Sequence, residues 1–320
     1  MTHDAAPAWK VWGALWTVYI VWGSTYLAIR VVVETVPPVL GSGARFVVAG
    51  AVMIAVLSFR RSVRLTRAQL LSALLVGTLL PGANAVVSVA EQEVPSSVAA
   101  LLIASVPLWV ILLRRGAGES VPRASVGAVL VGFVGVALLL RPGEQSGAAT
   151  VLGLGTVVFA ALMWASGSFA SPRIQLPRDG LVSVAWQMLL GGLVITIVGL
   201  ALGEAPQVDP AAFSTRSLVA LAYLIAFGSW FAYTAYAWLL QNAPISRVTT
   251  YAYVNPVVAI VLGWLILDEV VTPITLIGAA IIVVSVALVT RIESGLRANV
   301  QRQRHRRPQL GAAAALERDA

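Results

Sequence analysis

Ten apolar runs follow one another along this chain, near 11–29, 39–59, 69–90, 96–113, 124–140, 151–171, 181–202, 217–240, 247–267 and 273–290. Most have the roughly 20 residues that a helix needs to cross a hydrocarbon core of about 30 Å. In lipid every backbone N–H and C=O must be satisfied internally, so only helices and closed barrels can span it. Barrel strands are alternating segments of about 10 residues, and these runs are continuous and longer. The expectation is an all-α polytopic membrane protein with ten transmembrane helices. The first run follows Lys10 and could be read as a secretory signal, but it is longer than an ordinary signal core and nine runs follow it. It is expected to be a retained span.

Charge orients these spans. Of 320 residues 58% are hydrophobic and 11% charged, against roughly 25% charged in a soluble domain. Arginine accounts for all the basic residues except Lys10. With a cytoplasmic N-terminus, alternate gaps place 18 basic residues inside: Lys10, Arg60, Arg61, Arg64, Arg67, Arg114, Arg115, Arg123, Arg173, Arg178, Arg247 and the seven arginines from Arg291 onward. Only Arg30, Arg141 and Arg216 fall outside, and Arg45 lies within a run. The positive-inside rule then sets both termini in the cytoplasm. The net charge of +8 is read as this orientation charge, and no nucleic-acid partner is expected. The basic tail, residues 292–320, is open to two readings, contact with anionic lipid or a solvated coil.

The chain also repeats itself. Residues 44–50 align with 186–192, and Trp22-Gly23-Ser24 with Trp164-Ala165-Ser166. The stretch from Pro95 to Pro107 aligns with that from Pro244 to Pro256, and VGVALLLR ending at Arg141 matches VSVALVTR ending at Arg291. The order is collinear across five spans in each half. Five is odd, so the second copy enters the membrane from the opposite side. Inverted repeats of this kind support alternating access around a midplane site in many secondary transporters. The units expected are 11–141, 151–291 and the tail 292–320.

Few residues can carry chemistry. Cysteine is absent, and the two histidines, His3 and His305, lie in the tails, so no metal centre or other cofactor is expected. A nucleotide-binding P-loop needs a Lys after spaced glycines, and Lys10 has none before it. An ion gradient, a coupling proton for example, or the substrate's own gradient remains as the energy source. An intramembrane enzyme would need clustered acids or histidines, which the runs lack, so no enzyme is expected.

Arg45 is the costliest residue in a span. It either faces the bundle interior and pairs with Glu91 as a gate, or snorkels outward. Asn84, Ser88 and Glu91 share one face of the third span. The repeat places Tyr233 opposite Asn84, with Tyr236 one turn on, and Tyr251 and Asn255 share a face before Pro256. Pro107 and Pro256 are paired helix kinks, a pointer to a binding site between repeats; otherwise Tyr and Asn simply join helices. Trp9, Trp12, Trp109 and Trp264 fit span ends or outer faces. Trp16, Trp22 and Trp164 lie deeper and are candidate cavity residues. The candidate substrate-binding set is Trp22, Asn84, Trp164, Tyr233, Tyr251 and Asn255, lining a cavity from spans 1, 3, 4, 6, 8 and 9.

WGSTYLAIR at 22–30, RFVVAG at 45–50, SVAEQEVPSSVAALL at 88–102 and TYAYVNPVVAIVLGWLILDE at 250–269 resemble the EamA-type drug/metabolite transporters and, within them, the YedA-like exporters. The resemblance covers about residues 11–291. It implies two inverted five-helix repeats in a bacterial inner membrane and gradient-driven efflux of small amphipathic metabolites, amino-acid-like compounds or drugs. The small four-span members of that superfamily carry an acid in their first span, which this chain lacks; Glu91 is the acid best placed to substitute. The alternative function is a channel or lipid-moving protein on the same scaffold. The partners expected are a small-molecule substrate and the lipid bilayer, with the oligomeric state left open.

Overall fold

The computed structural model of the chain describes residues 7–140, 150–243, 245–248 and 250–316. His3, Arg141 and Pro244 lie outside the described residues, as does the end of the tail from 317. Helices α1 (Ala8–Val32), α2 (Pro38–Ser58) and α3 (Arg67–Ala90) come first. The fourth run is broken into α4 (Ser96–Ile103) and α5 (Val106–Gly116), before α6 (Arg123–Leu139) closes the first half. The second half opens with α7 (Val151–Ala170) and α8 (Gly180–Ala201). Next comes α9 (Thr215–Tyr223), which passes through a π-helical stretch, Leu224–Phe231, into α10 (Ala232–Asn242). The short α11 (Ile245–Val248), then α12 (Tyr251–Leu267) and α13 (Pro273–Leu316), complete the chain. The tail is helical through Leu316, in place of the coil considered above; its Arg, Gln and Ala are good helix formers.

Among the described residues, eight helical stretches are long and apolar enough to cross a membrane. Two further apolar helices, α6 and α12, have 17 residues each, about 26 Å of helix.

Close backbone approach governs the packing of α8 against α2 and α3. A Cβ added at Gly77 would meet the Gln187 carbonyl oxygen at 2.3 Å, and one at Gly191 would meet the Gly77 carbonyl at the same distance. Apolar helices gain nothing by leaving lipid for one another, so van der Waals contact through small residues carries this kind of interface.

Polar contacts sort the loops into two ends. At one end Arg61 pairs with Asp179, Arg173 with Glu119, and Arg114 with both Glu119 (2.7 Å) and Glu293. This joins the loops after α2, α5 and α7 to the residues past the apolar part of α13. At the other end Glu204, past α8, accepts from the amides of Val39 (3.1 Å) and Leu40 (2.8 Å) at the start of α2. Glu269, past α12, accepts at the start of α4. Hydrogen bonds from Arg114 and then Arg173 hold the Glu119 carboxyl below its ordinary range. Its contribution to stability is complete above the unfolded value of about 4.3 and fades as pH falls towards the folded value.

Gly77→Ala forces backbone apart and is expected to lower stability by about 1–3 kcal/mol. Gly127→Ala, with nothing within 4 Å, is expected to leave it unchanged. Thermal unfolding of the purified variants in detergent measures both, and equal melting would refute the close-packing account.

Candidate functional site

The interruptions of helix converge on one cavity. Pro107 lacks an N–H for the Ile103 carbonyl, and the helix breaks at Ala104 and Ser105. Pro256 stands inside α12. In the register that pairs Asn84 with Tyr233, Pro81 inside α3 pairs with Trp230 inside the π-helical stretch. The cavity between them has about 120 Å³ open to the centres of water-sized molecules, several times the ~10–15 Å³ that one water requires.

Its walls include all six candidate substrate residues, Trp22, Asn84, Trp164, Tyr233, Tyr251 and Asn255, together with Arg45, Pro107 and Pro256. The spans expected to line it do so, and α2 adds to them through Arg45 and Phe46. Trp22 is the hub. Its ring lies 5.1 Å from those of Tyr233 and Tyr236 and 5.2 Å from Tyr251, and its Nε1 donates to the Gly228 carbonyl at 3.4 Å. Asn84 donates to the Leu80 carbonyl at 3.3 Å. The Asn255 amide, turned to suit its neighbours, donates to the carbonyls of Tyr251 (3.2 Å) and Tyr19 (3.3 Å). Both amides thus serve backbone as well as cavity. Trp16, a candidate for the interior, is instead exposed at the surface beside Tyr19.

Arg45 is buried, with 5% of its surface exposed, so it does not snorkel. Its Nε lies 3.4 Å from Ser229 Oγ on the π-helical stretch, and its guanidinium stands 4.6 Å from the Phe46 ring centre. The expected pair with Glu91 is not formed. Neither Glu91 carboxylate oxygen has a hydrogen-bond partner, and Glu91 is fully buried elsewhere. Arg45 turns towards the hydroxyl that the π-helical stretch presents, and Ser42 and Ser88 join α2 and α3 by a hydrogen bond of 2.9 Å. No ion pair to a carboxylate reaches Arg45 among the described residues.

Thr25, Tyr26, Phe46 and Gly228 also line the cavity and were not singled out from sequence. Tyr26 and Thr25 stand one turn from Trp22, a signal that helical spacing could have supplied. Nothing in the sequence marks the π-helical stretch, although such bulges frequently occur at functional sites.

The EamA-like transporter family matches this chain twice, over residues 11–141 and 151–291. The inner membrane transporter YedA of Escherichia coli, itself uncharacterised, is 37% identical over 88% of this chain and 90% of that protein. A chloroplastic WAT1-related protein of Arabidopsis thaliana is 24% identical over 87% of this chain and 69% of its own length. One solved crystal structure superposes with a TM-score of 0.61 over 91% of this chain and 99% of that chain, at 22% identity, which shows a shared fold.

A buried cation with no carboxylate partner is costly, and even a buried ion pair can often be replaced by apolar groups at no cost or with a gain of about 1–4 kcal/mol. Arg45→Met is therefore expected to raise the melting temperature of the empty protein. A lower melting temperature would mean that Arg45 holds the fold together.

Proposed function

The chain belongs to the EamA-like transporter family, and on that premise we propose that it is a secondary transporter exporting small amphipathic molecules from the bacterial cytoplasm by alternating access. Ten helices cross the membrane in two five-helix repeats of opposite orientation, with both termini inside. The collinear sequence blocks support the repeat. The two sets of end contacts support the alternation of loops, since the arginine-rich loops after α2, α5 and α7 share one end. By the positive-inside rule that end is cytoplasmic.

The observation that carries the proposal is a buried Arg45, without a carboxylate partner among the described residues, in the wall of a cavity built mostly of aromatic and apolar groups. Charge within a span is retained for pathways and ligands. An amphipathic substrate lays its apolar part against Trp22, Trp164 and the tyrosines and gives an anionic group to Arg45. Aromatic surface supplies contact area, and the few polar groups fix orientation.

A thermal-shift screen of the purified protein against small anionic and zwitterionic metabolites tests the site. A ligand at 100 times its Kd stabilises by about 2.7 kcal/mol. That shift is expected to vanish in Arg45→Ala and to persist in part in Arg45→Lys, which keeps charge but loses the planar fork. Shifts of equal size in all three proteins would remove Arg45 from the site. Saturable counterflow of the hit in liposomes identifies a carrier, and non-saturable flux a channel.

Topology is tested separately. Reporter fusions after Arg64 and Arg291 are expected to read cytoplasmic, and one after Glu204 periplasmic. Any reversed signal overturns the ten-span arrangement.

A further inference from the structure

One buried acid has no part in the cavity. Glu91 follows directly on α3, and none of its surface is exposed. Both carboxyl oxygens are without hydrogen-bond partners. The groups around it belong to α1 and to the loop past α12. Arg30 of α1 donates to the Glu91 backbone carbonyl and leaves the carboxyl alone. Tyr26 stands one turn before Arg30 on the same helix. The Glu269 carboxylate lies beyond α12. Glu269 is in the opposite condition: it accepts from the amides of Ser96 (2.7 Å) and Ser97 (3.0 Å) and from both serine hydroxyls. Four donors at one helix start thus converge on Glu269. A fully buried carboxyl with no donor, as at Glu91, is favoured as the neutral acid.

We propose that Glu91 is a proton-binding site, holding its proton while Glu269 clasps the start of α4 and releasing it to water when the seam between α4 and α12 parts. The O–H bond of the carboxyl breaks, the proton passes to water entering the seam, and the carboxylate left behind meets the Arg30 guanidinium already at its backbone. Under the transporter reading above, on which this role in transport rests, the seam is the outer end of the bundle, and proton release there is tied to its opening. The proton site itself stands or falls without any transport measurement.

The sign follows from linkage. A group neutral in the folded state and ionised in the unfolded one destabilises the fold progressively as pH rises above the ordinary carboxylate value. Glu91→Gln, which mimics the neutral acid, is expected to melt with wild type in mild acid and several degrees above it at neutral pH. A difference independent of pH, or a wild type that melts higher at neutral pH, overturns the proposal. Infrared spectra of the unmodified full-length protein give a readout that no variant's misfolding can spoil. A protonated-carboxyl band is expected to persist at neutral pH and to disappear on alkalinisation, and its absence at neutral pH overturns the site. Ser97→Ala weakens the clasp, so the band is expected to titrate at lower pH in that variant. An unchanged titration separates Glu91 from the seam.

Discussion

Backbone polar groups cannot be left unserved in hydrocarbon, and each break in a spanning helix must be met by some other donor or acceptor. In this protein Trp22 and Asn255, which line the cavity, meet two of these breaks, and side chains beside the cavity meet the third. Trp22 reaches from α1 to the Gly228 carbonyl in the π-helical stretch. The Asn255 amide serves the Tyr251 carbonyl and, across the helix pair, that of Tyr19. At the α4–α5 break Ser105 donates back to the Leu102 carbonyl, and the Trp109 indole donates to Ser105 at 3.2 Å. A cavity built this way brings polar groups to a wall made mostly of aromatic and apolar side chains.

The same requirement acts at helix ends. The first amides of a helix lack intrahelical partners, and two of the first half's helices find theirs on acids of the second. Glu204 serves α2 and Glu269 serves α4. These contacts tie the halves together at one end, whereas the other end is tied by arginine–carboxylate pairs around Arg114 and Glu119. Between them α8 lies so close to α2 and α3 that a Cβ at Gly50, Gly77 or Gly191 would run into backbone.

Much of this was legible because each clue carried its own physics. Run length gave most of the helices to within a few residues of their ends, the exceptions being the broken fourth run and α13, which continues past 290 to Leu316, and charge gave the sorting of loops that the end contacts show. The repeat register linked Asn84 to Tyr233 and Pro107 to Pro256, all of which meet at one cavity. What escaped were side-chain directions and local winding. Arg45 and Glu91 lie towards the same end of their helices, but sequence position does not say which way a helix is turned, and the π-helical stretch offers Ser229 to Arg45. Trp16 stands six residues before Trp22, too far from whole turns for both to face inward. The clasp of Glu269 on Ser96 and Ser97 joins residues more than 170 positions apart, beyond any local pattern.

Repeats that have diverged need not cycle between states of equal energy. The register places Asn84 opposite Tyr233 and a proline, Pro81, opposite the π-helical stretch, so equivalent bends are produced by different means. A missing N–H is a permanent defect, whereas a π-helical turn keeps its hydrogen bonds at altered spacing and can be rewound. The end contacts diverge as well: Pro95 is followed by two serines whose amides and hydroxyls engage Glu269, while Pro244 is followed by Ile245 and Ser246. The register sets Glu119 one position from the counterpart of Glu269, yet Glu119 binds Arg114 and Arg173. One end is thus joined by hydrogen bonds to a helix start and the other by arginine–carboxylate pairs. The halves differ in the residues that make these contacts, so under the proposed alternating access the two ends would close on different chemistry.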